Sequence, residues 1–234
     1  MRAMILAAGR GERMRPLTDH TPKPLLQVAG KPLIVWHIER LVAAGITDIV
    51  INLAWLGSHI EGLLGDGRQY GARIVYSRED VALETAGGIA QTLPFFQDRP
   101  FLVINADIWC DWNPEQAAGV GDALQRQDKS AWLLLTANPP QHPQGDFCLG
   151  ASGLVADKSD SNAPTLTFCG IGIYQPSLFR NLPQGQAAAL APILRNAMAH
   201  DKIIGTQHRG SWTDVGTPQR LADLNASVAG AGLG

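Results

Sequence analysis

A short segment near the start of the chain combines glycines with positively charged side chains. The apolar run Met4–Ala8 leads into Gly9-Arg10-Gly11, and Arg13, Arg15 and Lys23 follow. Glycines let backbone N–H groups approach an anion closely, and a charge-assisted hydrogen bond to a phosphate oxygen is worth roughly 1.5–3 kcal/mol. The pattern predicts a phosphate-binding loop at the end of a buried strand.

Two common phosphate loops do not fit this segment. The chain has no G-x-x-x-x-G-K-[ST], and Met14 stands where the third glycine of G-x-G-x-x-G would be. A basic surface turn is the alternative for the segment, and it is the better interpretation for Arg10 taken alone.

The elements that must position this loop alternate between strands and helices. Apolar runs predict strands at 48–53, 72–76, 100–105 and 132–136. Helical periodicity with proline and glycine boundaries predicts helices at 32–42, 56–64, 87–93, 114–127, 187–200 and from 217 to about 228. Helical crossovers between strands predict an α/β fold with a mostly parallel central sheet flanked by helices.

The second half of the chain has a looser pattern. Short strands are expected around Phe147, Thr165 and Gly170, in the region that should hold variable, substrate-facing elements. No repeat or long linker separates folding domains, so we expect one domain over 1–228 and a flexible Gly/Ala tail over 229–234.

Composition excludes several classes of function. The 234 residues carry a net charge of −2, with 19 basic and 21 acidic side chains and no basic run, which argues against a nucleic-acid partner. No stretch approaches the ~18 apolar residues of a membrane span and no leader pattern is present, so we expect a cytoplasmic protein without a membrane partner. The three cysteines, Cys110, Cys148 and Cys169, lack metal-ligand spacing and are expected to be core or loop thiols.

The loop and its surroundings resemble one family in detail. L-A-A-G-x-G-x-R-[ML]-x-P-L-T followed by T-P-K-P is similar to the sugar-1-phosphate nucleotidyltransferases. This resemblance implies a Rossmann-like, GT-A-like fold. It also implies that Ala8, Gly9, Gly11, Arg13 and Lys23 contact the nucleotide. Arg13 and Lys23 would be catalytic residues, with Lys23 stabilising charge that develops on the α-phosphate.

Nucleotidyl transfer in this family implies Mg²⁺, held by protein carboxylates and phosphate oxygens. Asp107 follows the predicted central strand, and Asp214 lies in W-T-D-V-G-T, so the resemblance makes these two aspartates the metal ligands. Spacing alone cannot show that they meet, since a lone aspartate at the end of a strand is more often a cap or turn residue. Ala106 replaces the family's usual glycine before Asp107.

The segment Leu83–Ile89, L-E-T-A-G-G-I, resembles the family's base-reading loop. The resemblance implies contacts to the nucleotide from Glu84, Thr85 and Gly88, with Asn105 bordering the base. Glu84 replaces the usual glycine, and a purely structural strand-to-helix junction is the alternative.

Five motifs are spread over nearly the full length of the chain: L-E-T-x-G-G, N-x-D-[IV]-W, G-D-F at 145–147, L-T-F-x-G-I at 166–171 and W-x-D-V-G-T. As a set they resemble the bacterial N-acetylmuramate-1-phosphate uridylyltransferases of cell-wall recycling, a group of short, single-domain members. Gly145, Asp146 and Phe168 fall where relatives contact the sugar. The family's E-K-P lysine has no clear counterpart, because Ala156–Ser159 does not match the motif. The group that anchors the sugar phosphate is therefore left open.

The resemblance implies transfer of a uridylyl group from UTP to N-acetylmuramate 1-phosphate, with release of pyrophosphate. Its partners would be these small molecules, and the protein would be a monomer or small homo-oligomer. A mannose-1-phosphate guanylyltransferase is the alternative enzyme, and a non-catalytic nucleotide-sugar sensor is the alternative from another class.

Overall fold

The protein has a mixed α/β fold with a mostly parallel central sheet, as the alternating pattern predicts. The computed structural model describes residues 1–160 and 163–230. The strands are β1 (Arg2–Leu6), β2 (Gln27–Val28), β3 (Lys31–Pro32), β4 (Asp48–Leu53), β5 (Arg73–Arg78), β6 (Phe101–Asn105), β7 (Ile108–Cys110), β8 (Ala131–Thr136), β9 (Phe147–Leu149), β10 (Val155–Asp157), β11 (Thr165–Tyr174), β12 (Ile203–Gln207) and β13 (Trp212–Asp214). The helices are α1 (Leu33–Ala43), α2 (Gly57–Leu64), α3 (Glu84–Thr92), α4 (Ala117–Arg126), α5 (Leu190–Met198) and α6 (Pro218–Gly230). No helix in the described part of the chain is long and apolar enough to cross a membrane.

The described residues form two compact units, and each unit is assembled from separate stretches of chain. Unit I comprises Ala3–Ala82, Ile104–Pro114 and the residues from Ser211 onward. Unit II comprises Met1–Arg2, Leu83–Val103 and Glu115–Gly210.

Unit I contains the parallel strands that follow the predicted pattern. β1 pairs in parallel with β4, and β4 pairs in parallel with β5. β4 spans the predicted residues 48–53 and is buried from Ile49 to Leu53, as expected of a strand covered on both faces. α1 begins directly after Pro32, which suits the fixed φ of proline at a helix start.

One hydrophobic cluster in unit I holds together the segments that carry the predicted site. It joins residues next to Arg13, Asp107 and Asp214 to α1 and α6. Its buried members are Met14, Leu26, Val28, Leu33, Trp109, Val215, Leu224 and Val228. Trp36 packs edge-on against Trp109, with ring centroids 5.1 Å apart. Each polar segment of the site is therefore anchored by an apolar neighbour in one core.

Unit II contains a more mixed arrangement of strands. β8 pairs antiparallel with β11 and parallel with β12, while β9 pairs antiparallel with β10 and β11. The strands expected separately around Thr165 and Gly170 are one ten-residue strand, β11. Its register to β8 shifts between Phe168 and Gly172, and Gly170 has φ 76. Because of this irregularity, one strand was predicted from the sequence as two short strands.

Three predicted helices have different starts in the structure. α4 begins at Ala117, after a separate short turn over Pro114–Gln116, and not at residue 114. α3 begins at Glu84, not at Gly87, and α5 begins at Leu190, not at residue 187. The later start of α5 places Pro192 in the first turn, where its missing N–H breaks no helical hydrogen bond. α6 continues to Gly230, two residues into the expected tail, and residues 231–234 of that tail lie outside the described residues.

Substitution of Gly87, inside α3, by alanine is expected to destabilise the protein by about 1–3 kcal/mol. A methyl group there would lie 2.4 Å from the backbone oxygen of Gln186, which cannot easily move because Ala86 and Gly87 both donate to the Ala188 carbonyl. Urea unfolding measures the change. The matched control is Gly119→Ala in α4, where a methyl group meets no atom within 4 Å and should be neutral or stabilising. Equal stability of the two variants would contradict the packing argument.

Candidate active site

The predicted phosphate loop lies in unit I, directly after β1. Gly11 has φ 66, a left-handed conformation that favours glycine, and its carbonyl oxygen accepts a hydrogen bond of 2.8 Å from the Thr18 hydroxyl. A single turn, Glu12–Met14, buries Met14 in the core cluster and leaves Arg13 exposed. The loop is therefore fixed at its apolar side and open at its charged side.

The three arginines of this loop differ in what they contact. The Arg10 guanidinium lies 5.5 Å from the centre of the Trp55 ring, and Arg15 pairs with Asp19 at 3.3 Å. Among the described residues, the Arg13 side chain forms no hydrogen bond or ion pair. A methyl group added at Gly9 would meet no atom within 4 Å, so the backbone there is approachable. Arg13 and the Gly9 backbone are thus the groups of this loop that remain available to an anion.

Lys23 forms an ion pair with Asp107. The distance from Lys23 Nζ to Asp107 Oδ2 is 2.6 Å, and the lysine side chain is only 8% exposed while that of Asp107 is 39% exposed. A short turn, Lys23–Leu25, positions the lysine, and Ala106 positions the aspartate by donating its backbone N–H to the Leu6 carbonyl. Alanine therefore fits at the place of the family's glycine.

Asp214 lies on the strand that pairs with the segment following Asp107. In the antiparallel pair of β7 and β13, Asp214 is opposite Ile108, and Val215 donates its N–H to the Asp107 carbonyl at 3.0 Å. The structure thus brings the backbones of two residues that are far apart in sequence into adjacent positions. The Asp214 carboxylate is 27% exposed and accepts a hydrogen bond from Arg220.

The donor set at these two aspartates fits a divalent cation. In each carboxylate Oδ2 contacts a cationic side chain, whereas Oδ1 has no hydrogen-bond partner within residues 1–160 and 163–230. Carboxylate oxygens are the protein ligands that Mg²⁺ prefers, and it commonly takes one or two of them together with phosphate oxygens. Asp107 and Asp214 are therefore the residues that would hold such an ion.

The predicted base-reading segment lies at the start of α3 in unit II. Glu84 is exposed and has φ 57, the left-handed region, which explains why the family's usual residue at this place is glycine. Thr85 is half-buried, and Gly88 is buried within the helix. Asn105, at the end of β6 in unit I, is half-buried, and its amide makes no hydrogen bond to a described residue.

The predicted sugar-facing residues form a connected network in unit II. Asp146 Oδ2 accepts a hydrogen bond of 2.8 Å from the Phe168 backbone N–H, and Asp146 Oδ1 lies 2.9 Å from His142 Nε2. Lys158, in the segment that did not match E-K-P, donates from Nζ to the Gly145 carbonyl at 3.2 Å. The structure therefore brings Gly145, Asp146 and Phe168 together and adds a lysine that the motif comparison passed over.

Sequence reasoning also missed a buried polar pair in unit I. Asn52 accepts a hydrogen bond from the Ala7 N–H at 2.9 Å and donates to Glu79 Oε1 at 2.7 Å. Both side chains are buried, and they connect the end of β1 with β4 and the residue after β5. The only signal in the sequence is a polar residue inside the otherwise apolar run 49–53.

His37, expected to be a packing residue, is buried in α1. Burial, reinforced by the nearby Arg40 charge, lowers the pKa of His37 to about 4, so the ring is neutral at pH 7. Its Nε2 has no hydrogen-bond partner among the described residues, although the ring bonds to the backbone of Ile108. The histidine therefore packs beside the segment that carries Asp107 without carrying charge.

The three cysteines are buried free thiols, as predicted, and burial raises the pKa of Cys110 to about 11.

Stability is expected to fall on acidification because of His37. In the unfolded chain His37 has a pKa near 6.5, whereas in the folded protein it takes up a proton only near pH 4. The contribution of neutral His37 to the free energy of unfolding is therefore complete above pH 6.5 and is lost as the pH falls toward 4. Between pH 7 and pH 5 this loss is about 2 kcal/mol. Urea unfolding at the two pH values measures it, and His37→Gln should show a smaller pH dependence. The same dependence in both proteins would contradict the assignment.

Comparison with known proteins shows to which family the chain belongs. Residues 2–230 match the nucleotidyl transferase family. The chain belongs to this family. It is 53% identical over 232 residues to the N-acetylmuramate alpha-1-phosphate uridylyltransferase of Neisseria meningitidis serogroup B, covering 99% of both chains. It is 35% identical to the protein of the same name from Caulobacter vibrioides, covering 98% of this chain and 97% of that relative.

A solved structure supports the fold independently. The structure of a UDP-glucose pyrophosphorylase with UDP-glucose superposes with a TM-score of 0.76, at 19% identity and with 98% of each chain covered. At that identity the likeness concerns the fold alone. The fold class implied by the sequence motifs is thereby confirmed for this nucleotidyltransferase.

Proposed function

We propose that this nucleotidyltransferase transfers a uridylyl group from UTP to N-acetylmuramate 1-phosphate, forming UDP-N-acetylmuramate and pyrophosphate. The observation that carries the substrate assignment is the 53% identity to the Neisseria meningitidis relative, which extends over 99% of both chains. The enzyme would act in the cytoplasm, in recycling of peptidoglycan.

The polar groups of unit I have different roles in the proposed reaction. The backbone at Ala8, Gly9 and Gly11 and the guanidinium of Arg13 bind the triphosphate, and Lys23 faces the charge that develops on the α-phosphate. Asp107 and Asp214 would hold a Mg²⁺ ion, which when bound would neutralise phosphate charge and polarise the α-phosphate. The sugar-1-phosphate oxygen attacks in line, so no covalent enzyme intermediate is needed.

The pairing of Lys23 with Asp107 supports this division. A lysine that is 8% exposed and hydrogen-bonded at 2.6 Å is held in one orientation, so its charge is already positioned before a substrate arrives. Such preorganisation is the main source of electrostatic stabilisation in enzyme sites.

Residues of unit II serve recognition in this proposal. Glu84, Thr85 and Gly88 contact the nucleotide, with Asn105 of unit I bordering the base. Gly145, Asp146 and Phe168 contact the sugar. Lys158 is the candidate anchor for the sugar phosphate, because it directly follows β10 and its Nζ donates at 3.2 Å to the carbonyl of Gly145, which lies just before β9.

A substrate panel tests the proposed reaction. Purified protein with Mg²⁺ is mixed with each of the four nucleoside triphosphates and a set of sugar 1-phosphates, and pyrophosphate is measured. We expect the fastest release with UTP and N-acetylmuramate 1-phosphate. Preference for GTP and mannose 1-phosphate would establish the guanylyltransferase alternative. Tight UDP-sugar binding without pyrophosphate release from any pair would establish a sensor and refute the proposal.

A further inference from the structure

The carboxylate of Asp214 is held by a cation that none of the sequence motifs contains. Arg220, in the first turn of α6, donates from Nη1 to Asp214 Oδ2 at 2.6 Å. The arginine side chain is 17% exposed, so the pair is largely shielded from solvent. The Arg220 Nε and backbone N–H both point at the Thr217 hydroxyl oxygen, at 3.4 and 3.3 Å. The guanidinium is therefore fixed from two sides.

Gly216 makes room for this arginine. A methyl group at Gly216 would lie 2.4 Å from Arg220 Nη2 and 2.9 Å from Asp214 Oδ1. Gly216 does not have a positive φ, so its backbone conformation is open to any residue. The glycine of W-T-D-V-G-T is thus explained by the space that the Arg220 guanidinium occupies, not by the conformation of the chain.

The two predicted metal ligands are held in parallel ways. Lys23 contacts Oδ2 of Asp107, and Arg220 contacts Oδ2 of Asp214, each at 2.6 Å. In both carboxylates Oδ1 lacks a partner within the described part of the chain. The partners that hydrogen-bond a ligating carboxylate commonly fix its orientation and its affinity for the metal.

We propose that Arg220 is a positioning residue that presets the Asp214 carboxylate for a divalent cation, and that Gly216 is a glycine in order to admit it. This inference rests on the proposed role of Asp214 as a metal ligand. Arginine suits the position because its planar fork donates to Asp214 and Thr217 at the same time, which the single ammonium of lysine cannot do in this geometry.

Two substitutions disturb the pair from opposite sides. Arg220→Gln removes the positive charge and the planar guanidinium group, while Gly216→Ala displaces the guanidinium. The clashes in Gly216→Ala are with the ends of two flexible side chains, Arg220 and Asp214, so this variant is expected to fold and to disturb both members of the pair.

The test measures the affinity of the protein for Mn²⁺ in the presence of UTP and without any sugar phosphate. The electron paramagnetic resonance signal of the free ion reports how much Mn²⁺ is unbound. We expect each variant to bind Mn²⁺ about 10–100-fold more weakly than wild type. Arg220→Lys should bind with intermediate affinity. The controls are Arg180→Gln, which removes an exposed arginine paired with Asp98 at 2.6 Å, and Gly119→Ala; both should match wild type.

Wild-type Mn²⁺ affinity in folded Arg220→Gln and Gly216→Ala would overturn the proposal. If Arg220→Gln does not fold, as circular dichroism would show, Gly216→Ala and Arg220→Lys decide the matter. Failure of the proposed reaction is a separate result: wild type would then bind Mn²⁺ and UTP but release no pyrophosphate with any sugar 1-phosphate.

Discussion

Asp107→Asn is expected to leave a folded protein that transfers nucleotidyl groups about 100-fold more slowly than wild type, or slower still. The substitution keeps the shape of the side chain, and the asparagine oxygen can still accept the hydrogen bond from Lys23, so the ion-pair site remains packed. It removes the negative charge that would hold the metal. Without the electrostatic effect of the metal, the transition state loses several kcal/mol of stabilisation, and each 1.36 kcal/mol is a tenfold change in rate. Pyrophosphate release at saturating UTP over a range of Mg²⁺ concentrations measures the effect.

The matched control for Asp107→Asn is Asp128→Asn. Asp128 also pairs with a lysine, Lys202, but its side chain is almost fully exposed and lies in unit II. This variant should turn over at the wild-type rate, because exposed ion pairs contribute little. Turnover of Asp107→Asn at the wild-type rate would refute the assignment of Asp107 to the metal.

Lys23→Met is expected to lower kcat by about 10²–10³-fold. Electrostatic donors aimed at charge that develops in the transition state are worth around 2.7–4 kcal/mol each. Methionine is of similar length and fills the same buried space, so the main loss is the charge. Because that charge acts on the transition state, KM for UTP should change much less than kcat.

Lys202→Met serves as the control for Lys23→Met, since it removes a lysine that also contacts an aspartate at the surface. It should leave both constants unchanged. A raised KM with an unaltered kcat in Lys23→Met would mean that Lys23 only binds the nucleotide, and the proposed role in catalysis would be wrong.

The sequence predicted well those parts of the fold that are encoded locally. The apolar run 48–53 is β4, residue for residue, and Gly11 has the conformation that a glycine-rich loop requires. Arg13 was chosen from the motif, and its role stays a prediction: Arg10 lies over the Trp55 ring and Arg15 pairs with Asp19, while the Arg13 side chain has no hydrogen bond or ion pair within the described residues.

The parts that depend on distant segments could not be predicted. β7 and β13 have three residues each, too few for a periodicity, and their pairing joins segments about a hundred residues apart. Arg220 looks like a surface charge on an amphipathic helix until its contact with Asp214 is seen. The same holds for Lys158, whose place beside Gly145 follows from how β9, β10 and β11 pair and from no motif.

In the proposed site, Asp107 and Asp214 together would hold one divalent ion, beside the segment that carries Arg13 and Lys23. A crystal structure with UTP and Mn²⁺, with the metal located by its anomalous scattering, tests this most directly. We expect a peak within about 2.5 Å of an oxygen of each carboxylate, with the triphosphate against the loop. A peak that contacts neither aspartate, or only one of them, would contradict it.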